Sequence, residues 1–355
     1  MSLKHRIKRA AGDAYARVLF HTGLHAVVDA LTPRRMLVLA GHCVSAPTCA
    51  TLPKDMQIRA ADLERILAWL ARRYDVVTLA EGLRRIESGA GRRSVAVLTM
   101  DDGYRDNRTH LLPLLAKLGV GATVYVETRP LDERRANWTH KLFHCLERMG
   151  PEAFVLRYTE IAQADERGSI VLNQLVPHGE ATTYHVKRVL KYEVDPAVRD
   201  RALDALFAEL GGSDRELTDA LYMTWDDVRA LQAAGLEIGG HTVSHAILSK
   251  LDERAQDAEI AGCARALEAG LGRAPESFAY PFGRGWDFDA RAADAARRAG
   301  FHSATTTHAG VHVKGRDPYR IPRVMIDEDA ALHRIAAEAC GGFELLRRLG
   351  IDLAP

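Results

Sequence analysis

Short runs of apolar, β-favouring residues recur along this chain, and each is followed by a stretch with helical periodicity. The runs fall at 36–40, 75–79, 94–100, 122–127, 236–240, 277–280, 303–307 and 321–326. The stretch 62–73 shows the helical signal plainly, with Leu63, Ile66, Leu67 and Leu70 on one face. After the second run Leu83 and Ile86 share a face, and 111–118 carries Pro113 near its start. Thr224 and Asp227 form an N-terminal capping box, and Gly235 stops that helix. Helices are further expected over 252–270 and 290–299, with Gly300 as a C-cap. About eight strands alternating with helices predict a parallel α/β sheet, either a closed barrel or an open doubly wound one.

The alternation stops between 129 and 222, where helical patterns such as 186–190 and 198–210 dominate. Four segments are therefore expected: a basic helix over 1–35, a first barrel part over 36–128, a helical insertion over 129–222 and a second barrel part over 223–355.

Composition narrows the function. A hydrophobic share of 47% supports a full core, and a net charge of +1 speaks against a nucleic-acid partner. The five cysteines show no Cys-x-x-Cys spacing, so no disulfide framework is expected and a reducing compartment fits. Cys43 reads as a packed thiol rather than a nucleophile. There is no 18-residue apolar run and no secretory pattern, which predicts a cytoplasmic protein without a membrane span. Within 1–35, Lys4, Arg6, Lys8, Arg9, Arg17, Arg34 and Arg35 stand against Asp13 and Asp29, while Ile7, Ala10, Ala14, Val18 and Phe20 follow helical spacing. Such a helix can rest on an anionic membrane surface, or pack on the barrel and show its charges to water.

Chemistry concentrates after two of the runs. Asp101-Asp102-Gly103 follows 94–100, and His241-Thr242-Val243-Ser244-His245 follows 236–240. Two histidines and one carboxylate make a three-ligand site that leaves room for water. Such a set suits zinc, and also cobalt, nickel or iron. The other carboxylate stays free as a base. Hydrolysis of an unactivated amide or ester needs both parts. Asp101, His241 and 280–283 all fall just after strand ends, which favours the barrel, where catalytic residues converge on that rim.

Thr99-Met100-Asp101-Asp102-Gly103-Tyr104 resembles the Thr-Phe-Asp-Asp-Gly motif of the polysaccharide deacetylases, the NodB-homology enzymes. His241–His245 resembles their His-Ser/Thr-x-x-His motif, and 278–283 resembles the aromatic-Pro-aromatic-Gly segment of the exopolysaccharide-deacetylase branch. The resemblance covers roughly 36–128 and 224–328 and leaves out the insertion. It implies a distorted (β/α)7–8 barrel and metal-dependent deacetylation of an N-acetylated saccharide. It further implies Asp101 as base, with Asp102, His241 and His245 as metal ligands. Thr242 would steady its loop by hydrogen bonding, and Tyr280, Pro281 and Phe282 would line the substrate and oxyanion site.

This sequence departs from the family pattern twice. Ala279 stands where many relatives carry an arginine that orients the base, and Arg323 is the candidate replacement. No Leu-x-His supplies a general acid. His42, after the first run, is the preferred acid, with His308 and His312 as rivals. Of Trp138, Trp225 and Trp286, the last is the best candidate for stacking on a sugar. Alternatives with the same residues are a sugar deformylase or an O-deacetylase. An alternative of another class is an inactive carbohydrate-binding barrel.

Overall fold

The computed structural model describes residues 3–44, 52–162, 166–351 and 353; Cys49 lies outside them, as do the side chains of Lys4 and Arg6. Eleven strands are formed among the described residues. They are β1 (Met36–Gly41), β2 (Cys43–Val44), β3 (Gln57–Ile58), β4 (Asp75–Val76), β5 (Val95–Met100), β6 (Thr123–Val126), β7 (Glu237–Gly240), β8 (Ser277–Ala279), β9 (Ser303–Thr305), β10 (Val311–His312) and β11 (Val324–Met325).

The main sheet runs β10-β1-β5-β6-β7-β8-β9, with β4 beside β5 and β11 beside β1. All pairs are parallel except β10 on β1. The β9–β1 gap is spanned by the segment after Tyr319. Ile321 bridges Thr305, and Val324 and Met325 pair with Leu39 and Ala40. The result is a distorted, incompletely closed (β/α) barrel.

Both faces of β1 and β5 are buried, as expected of parallel strands under helices. Strand alternation sorts their side chains. Met36, Val38, Val95, Val97, Tyr125 and Ala279 cluster with Leu79 and Ile86. Leu37, Leu39, Ala96, Leu98 and Val124 pack instead on Leu63, Ile66, Leu67 and Leu70 of helix Ala60–Ala71. No helix among the described residues is long and apolar enough to cross a membrane.

Some predicted boundaries shift for local reasons. The run at 75–79 is a strand only over Asp75–Val76, because Thr78 caps helix Leu79–Ser88 by accepting from the Glu81 N–H at 3.4 Å. The run at 321–326 pairs regularly only at Val324–Met325. Pro322 has no N–H to give, and the Arg323 N–H goes to the His308 carbonyl at 2.9 Å. The basic segment is two helices, Leu3–His21 and Leu24–Leu31, broken at Gly23 with φ 77°. Its packed face also differs from the expected one. Ala16 and Leu19 join Ala337 and Phe343, whereas Ile7, Val18, Leu24, Val27 and Leu31 are exposed.

Between β6 and β7 the chain builds a helical subdomain with its own core, including Leu142, Phe154, Tyr158, Leu190, Leu203 and Phe207. Asn137 caps its helix Trp138–Met149, and Asp195 caps Pro196–Glu209. Its last turn is tied to the Asp-Asp-Gly segment. The Arg105 N–H bonds the Leu221 carbonyl at 2.8 Å, the Met223 N–H bonds the Gly103 carbonyl at 3.0 Å, and Tyr104 bridges Tyr222.

Candidate active site

Strand direction and one sharp turn separate the two adjacent aspartates. The Asp101 N–H still bonds the Gly41 carbonyl at 2.9 Å, extending the β1–β5 ladder. Asp102 and Gly103 then take φ of 71° and 75°. Asp101 therefore faces Arg323, and Asp102 faces the histidine pair. Among the described residues five non-glycines have positive φ, and four of them are Asp102, Thr242, His245 and Phe282. The left-handed region is unfavourable for such residues, above all for β-branched Thr242. Strain of this kind gathers where a side chain must be aimed.

Asp102, His241 and His245 each offer a ligand atom, all within 4.8 Å of one another. The Nε2 atoms of His241 and His245 lie 3.3 and 3.4 Å from Asp102 Oδ1. Ligand atoms around a tetrahedral zinc ion sit about 3.3 Å apart. Asp102 Oδ1 is buried and accepts no hydrogen bond among the described residues, so the donor set fits a divalent cation. His241 Nδ1 lies 2.7 Å from the Ala279 carbonyl, which fixes its Nε2 toward the site. Burial opposes charge on Asp102, yet His245, His241 and His42 hold its carboxyl well below the usual range. Burial pushes His245 well down, while Asp102 and Asp101 overcome burial to raise His241.

Asp101 is clamped. Arg323 Nη1 and Nη2 meet its two oxygens at 2.7 and 2.8 Å. The guanidinium also donates to Thr99 Oγ1 and the Thr306 carbonyl, both at 3.0 Å, and is only 1% exposed. Burial disfavours the Asp101 carboxylate, but Arg323, then His241, hold its carboxyl below the ordinary value. Ala279 is fully buried on β8, packed with Met36, Val38 and Tyr125. The guanidinium enters from beside β11.

The remaining predicted residues divide into three groups. His42 acts through space on both aspartates, and its Nδ1 is buried without a hydrogen-bond partner among the described residues. Phe282 is half-buried with its ring 4.7 Å from that of His245, and its carbonyl accepts from Thr307 Oγ1 at 2.8 Å. Pro281 is buried beside it. Trp286 is 60% exposed, and its Nε1 donates to Tyr192 of the subdomain at 2.8 Å.

Tyr280 is a correction. It is buried away from the site, stacked on Phe288 at 4.0 Å, with its hydroxyl on the Tyr319 carbonyl. Strand alternation puts it on the face of Phe278, opposite Ala279. Thr242 is a second. Its Oγ1 makes no hydrogen bond, and the loop is held instead through its carbonyl, which accepts from the Thr128 N–H. His312 is a third, because it pairs with Met36 at the far end of β1. His308 is exposed and sits against Gly285. Trp138 packs on Phe282 within the subdomain core, and Trp225 donates to Asp132. Cys43 is buried with its thiol on the Met56 carbonyl, and no disulfide joins the described cysteines.

Three contributors carry no sequence motif. Glu259, on helix Glu253–Leu271, accepts from the Val243 and Ser244 N–H groups and from Ser244 Oγ at 3.0, 2.9 and 2.6 Å, so it steadies the histidine loop. Glu127, at the end of β6, is bonded by Asn137 at 2.7 Å; burial, then Asp102, push its carboxyl well above the usual range. His140 of the subdomain lies 2.7 Å from the Tyr104 hydroxyl and 2.5 Å from that of Tyr222. Burial pushes His140 down to about 4.

A metal-binding triad and a clamped carboxylate on the C-terminal rim of a distorted barrel define a metal-dependent hydrolase. The family model "Polysaccharide deacetylase" matches residues 88–171 and 177–304, more than half of the chain. The chain belongs to that family. The match runs through most of the helical subdomain, which the motifs alone leave out. No curated protein matches the sequence.

Solved structures share the fold. The Streptococcus pyogenes deacetylase PplD, in complex with acetate, is 16% identical over 87% of this chain and 99% of its own, with a TM-score of 0.57. IcaB from Ammonifex degensii is 17% identical over 87% and 98%, with a TM-score of 0.56. The Bacillus cereus polysaccharide deacetylase BC0361 is 17% identical over 86% and 69%, with a TM-score of 0.53.

Proposed function

We propose that this protein removes the acetyl group from an N-acetylated amino sugar in a saccharide or glycan precursor. The observation that carries the reading is the triad, three ligand atoms within 4.8 Å, beside a carboxylate held ionised by Arg323. Zinc is the cation that two histidines and one aspartate suit best. When bound there, it would supply Lewis acidity to the acetyl carbonyl and to the attacking water.

The chain's own groups do the rest. Asp101 takes the proton from the attacking water, and Arg323 keeps that carboxylate ionised and oriented. The Phe282 N–H meets the charge that develops on the acetyl oxygen, since the next two N–H groups already bond the Pro281 carbonyl and Asp287. His42 returns a proton to the leaving amine. Trp286 offers its exposed ring as a stacking face for the sugar. The acetate held by the Streptococcus pyogenes deacetylase is the product such a reaction releases. The test is acetate release from N-acetylated oligosaccharides by the zinc-loaded protein, with formylated and O-acetylated sugars alongside. Acetate from the N-acetyl substrates supports the reading; release from neither the N-acetyl nor the other two overturns it.

We also place the enzyme at an anionic membrane surface on the cytoplasmic side. Support comes from the exposed Ile7, Val18, Leu24, Val27 and Leu31 on the two N-terminal helices, within a segment rich in Lys and Arg. Arg9 and Arg17 already pair with Asp329 and Asp13, so the apolar stripe carries most of this argument. Flotation with vesicles containing anionic lipid, lost on changing Val18 and Leu24 to Asp, is expected; equal partitioning of both forms contradicts it.

A further inference from the structure

We propose that Lys187, on the helical subdomain, recognises an anionic oxygen group of the substrate, a phosphate or a carboxylate, close to the scissile acetamide. The proposal rests on the hydrolase reading of the metal site and adds a substrate class to it.

Two lysines stand one turn apart on helix Thr183–Tyr192, and both approach the ring of Phe282. The Lys191 ammonium is 3.5 Å from the ring centroid and the Lys187 ammonium is 6.0 Å from it. The fold treats them differently. Lys191 has a counter-ion, the fully buried Asp287, at 3.0 Å. Lys187 lies 4.8 Å from the ring of Phe143 but makes no hydrogen bond or ion pair among the described residues. Asp55 and Asp102 reach it only through space, and burial pushes its ammonium below the usual lysine range.

Its position is on the metal side of the subdomain. Lys187 acts through space on His245 and His140. Phe282, which it faces, has its ring 4.7 Å from that of His245. The ammonium and the metal-ligand imidazole both lie against the Phe282 ring, 6.0 and 4.7 Å from its centre, a separation that a single sugar unit can bridge.

The Lys187 side chain is half-buried, and the ring faces beside its ammonium repay only part of the cost of drawing a cation partly out of water. Neither aspartate of the metal site is spare to balance it, and the exposed Asp55 forms no ion pair with it among the described residues. Asp101 is committed to Arg323, and Asp102 lies between two histidines. A divalent ion on the triad would add further positive charge. A neutral sugar leaves Lys187 unpaired, whereas an anionic one supplies the missing counter-charge. A charged group that the fold leaves unpaired beside a catalytic site is of the kind that a ligand satisfies.

The test is calorimetry on the zinc-loaded full chain with N-acetylglucosamine, N-acetylglucosamine 1-phosphate and N-acetylmuramic acid. The wild type is expected to bind at least one of the two anionic sugars tenfold or more tighter than the neutral one. Whichever gains more identifies phosphate or carboxylate as the group. In Lys187→Gln that ratio is expected to fall to near one, and in Lys187→Arg to return. A wild type without the preference, including one that binds none of the three sugars, overturns the proposal. So does a preference that survives in Lys187→Gln, which would mean that the metal alone takes the anion. Zinc content of each form is measured alongside. A wild type that holds no zinc defeats the hydrolase reading itself, while an intact zinc site without anion preference defeats only the assignment of Lys187.

Discussion

The barrel rim and the helical subdomain reach the same cleft by different physical routes. The rim residues come from strand ends far apart in sequence: His42 after β1, Asp101 and Asp102 after β5, His241 after β7 and Phe282 after β8. Parallel strands deliver all of them to one end of the sheet, and left-handed backbone at Asp102, His245 and Phe282 aims them. The subdomain contributes Lys187, His140 and Trp138 from helices that pack on a core of their own. Arg134 is its one described non-glycine residue with positive φ. Rim geometry is therefore dictated by the backbone, and subdomain geometry by side-chain packing. The rim should tolerate almost no change, while the subdomain should tolerate changes that preserve its core.

Four substitutions can break that contrast. The largest effect is expected for Asp101→Asn, a drop in kcat of about 10²–10⁴-fold with zinc retained, read by acetate release and elemental analysis. A smaller loss would remove Asp101 from the role of base. Arg323→Met leaves the Asp101 charge buried and unpaired. A loss of about 3–5 kcal/mol in denaturant unfolding is expected, together with reduced kcat. Unchanged stability would mean that water replaces the guanidinium.

His140 tests the border between the two regions. It is held neutral in the fold, its value pushed from 6.5 to about 4, so the unfolded chain takes up the proton first as pH falls. The His140 contribution to stability is expected to be complete above about pH 6.5 and to be lost as pH drops toward 4, by about 3 kcal/mol in all. His140→Gln should flatten that decline in urea unfolding across the range; an unaltered decline would assign it to other groups. The smallest effect is expected at Trp286→Ala, below about 0.5 kcal/mol in stability because the ring is mostly exposed. A several-fold rise in KM with kcat held would fit sugar stacking, and an unchanged KM would end that role.

The contrast also explains what could be read from the sequence. Most strand positions, the barrel and the placing of Asp101, Asp102, His241 and His245 at strand ends are legible because apolar runs mark strands and the motifs follow them. Arg323 was legible once Ala279 left its expected place empty. Tyr280 was misplaced although the clue was available, since alternation within Phe278-Ala279-Tyr280 turns it toward Phe288. The break at Gly23 and the orientation of the first helix were hidden, because two apolar stripes share that helix and only packing on Ala337 and Phe343 selects one. Glu259, His140 and Lys187 had no signal at all. Each is an ordinary helical residue whose role arises from contacts across the fold.

Asp102, His241 and His245 are expected to hold one divalent ion, on which every other role in the site depends. The most direct measurement is elemental mass spectrometry of the purified wild type beside Asp102→Ala and His241→Ala. Near one ion per chain in the wild type, and almost none in either variant of equal folded content, is the expected result. A wild type that stays empty after reloading with zinc or cobalt, or variants that keep their ion, would contradict it.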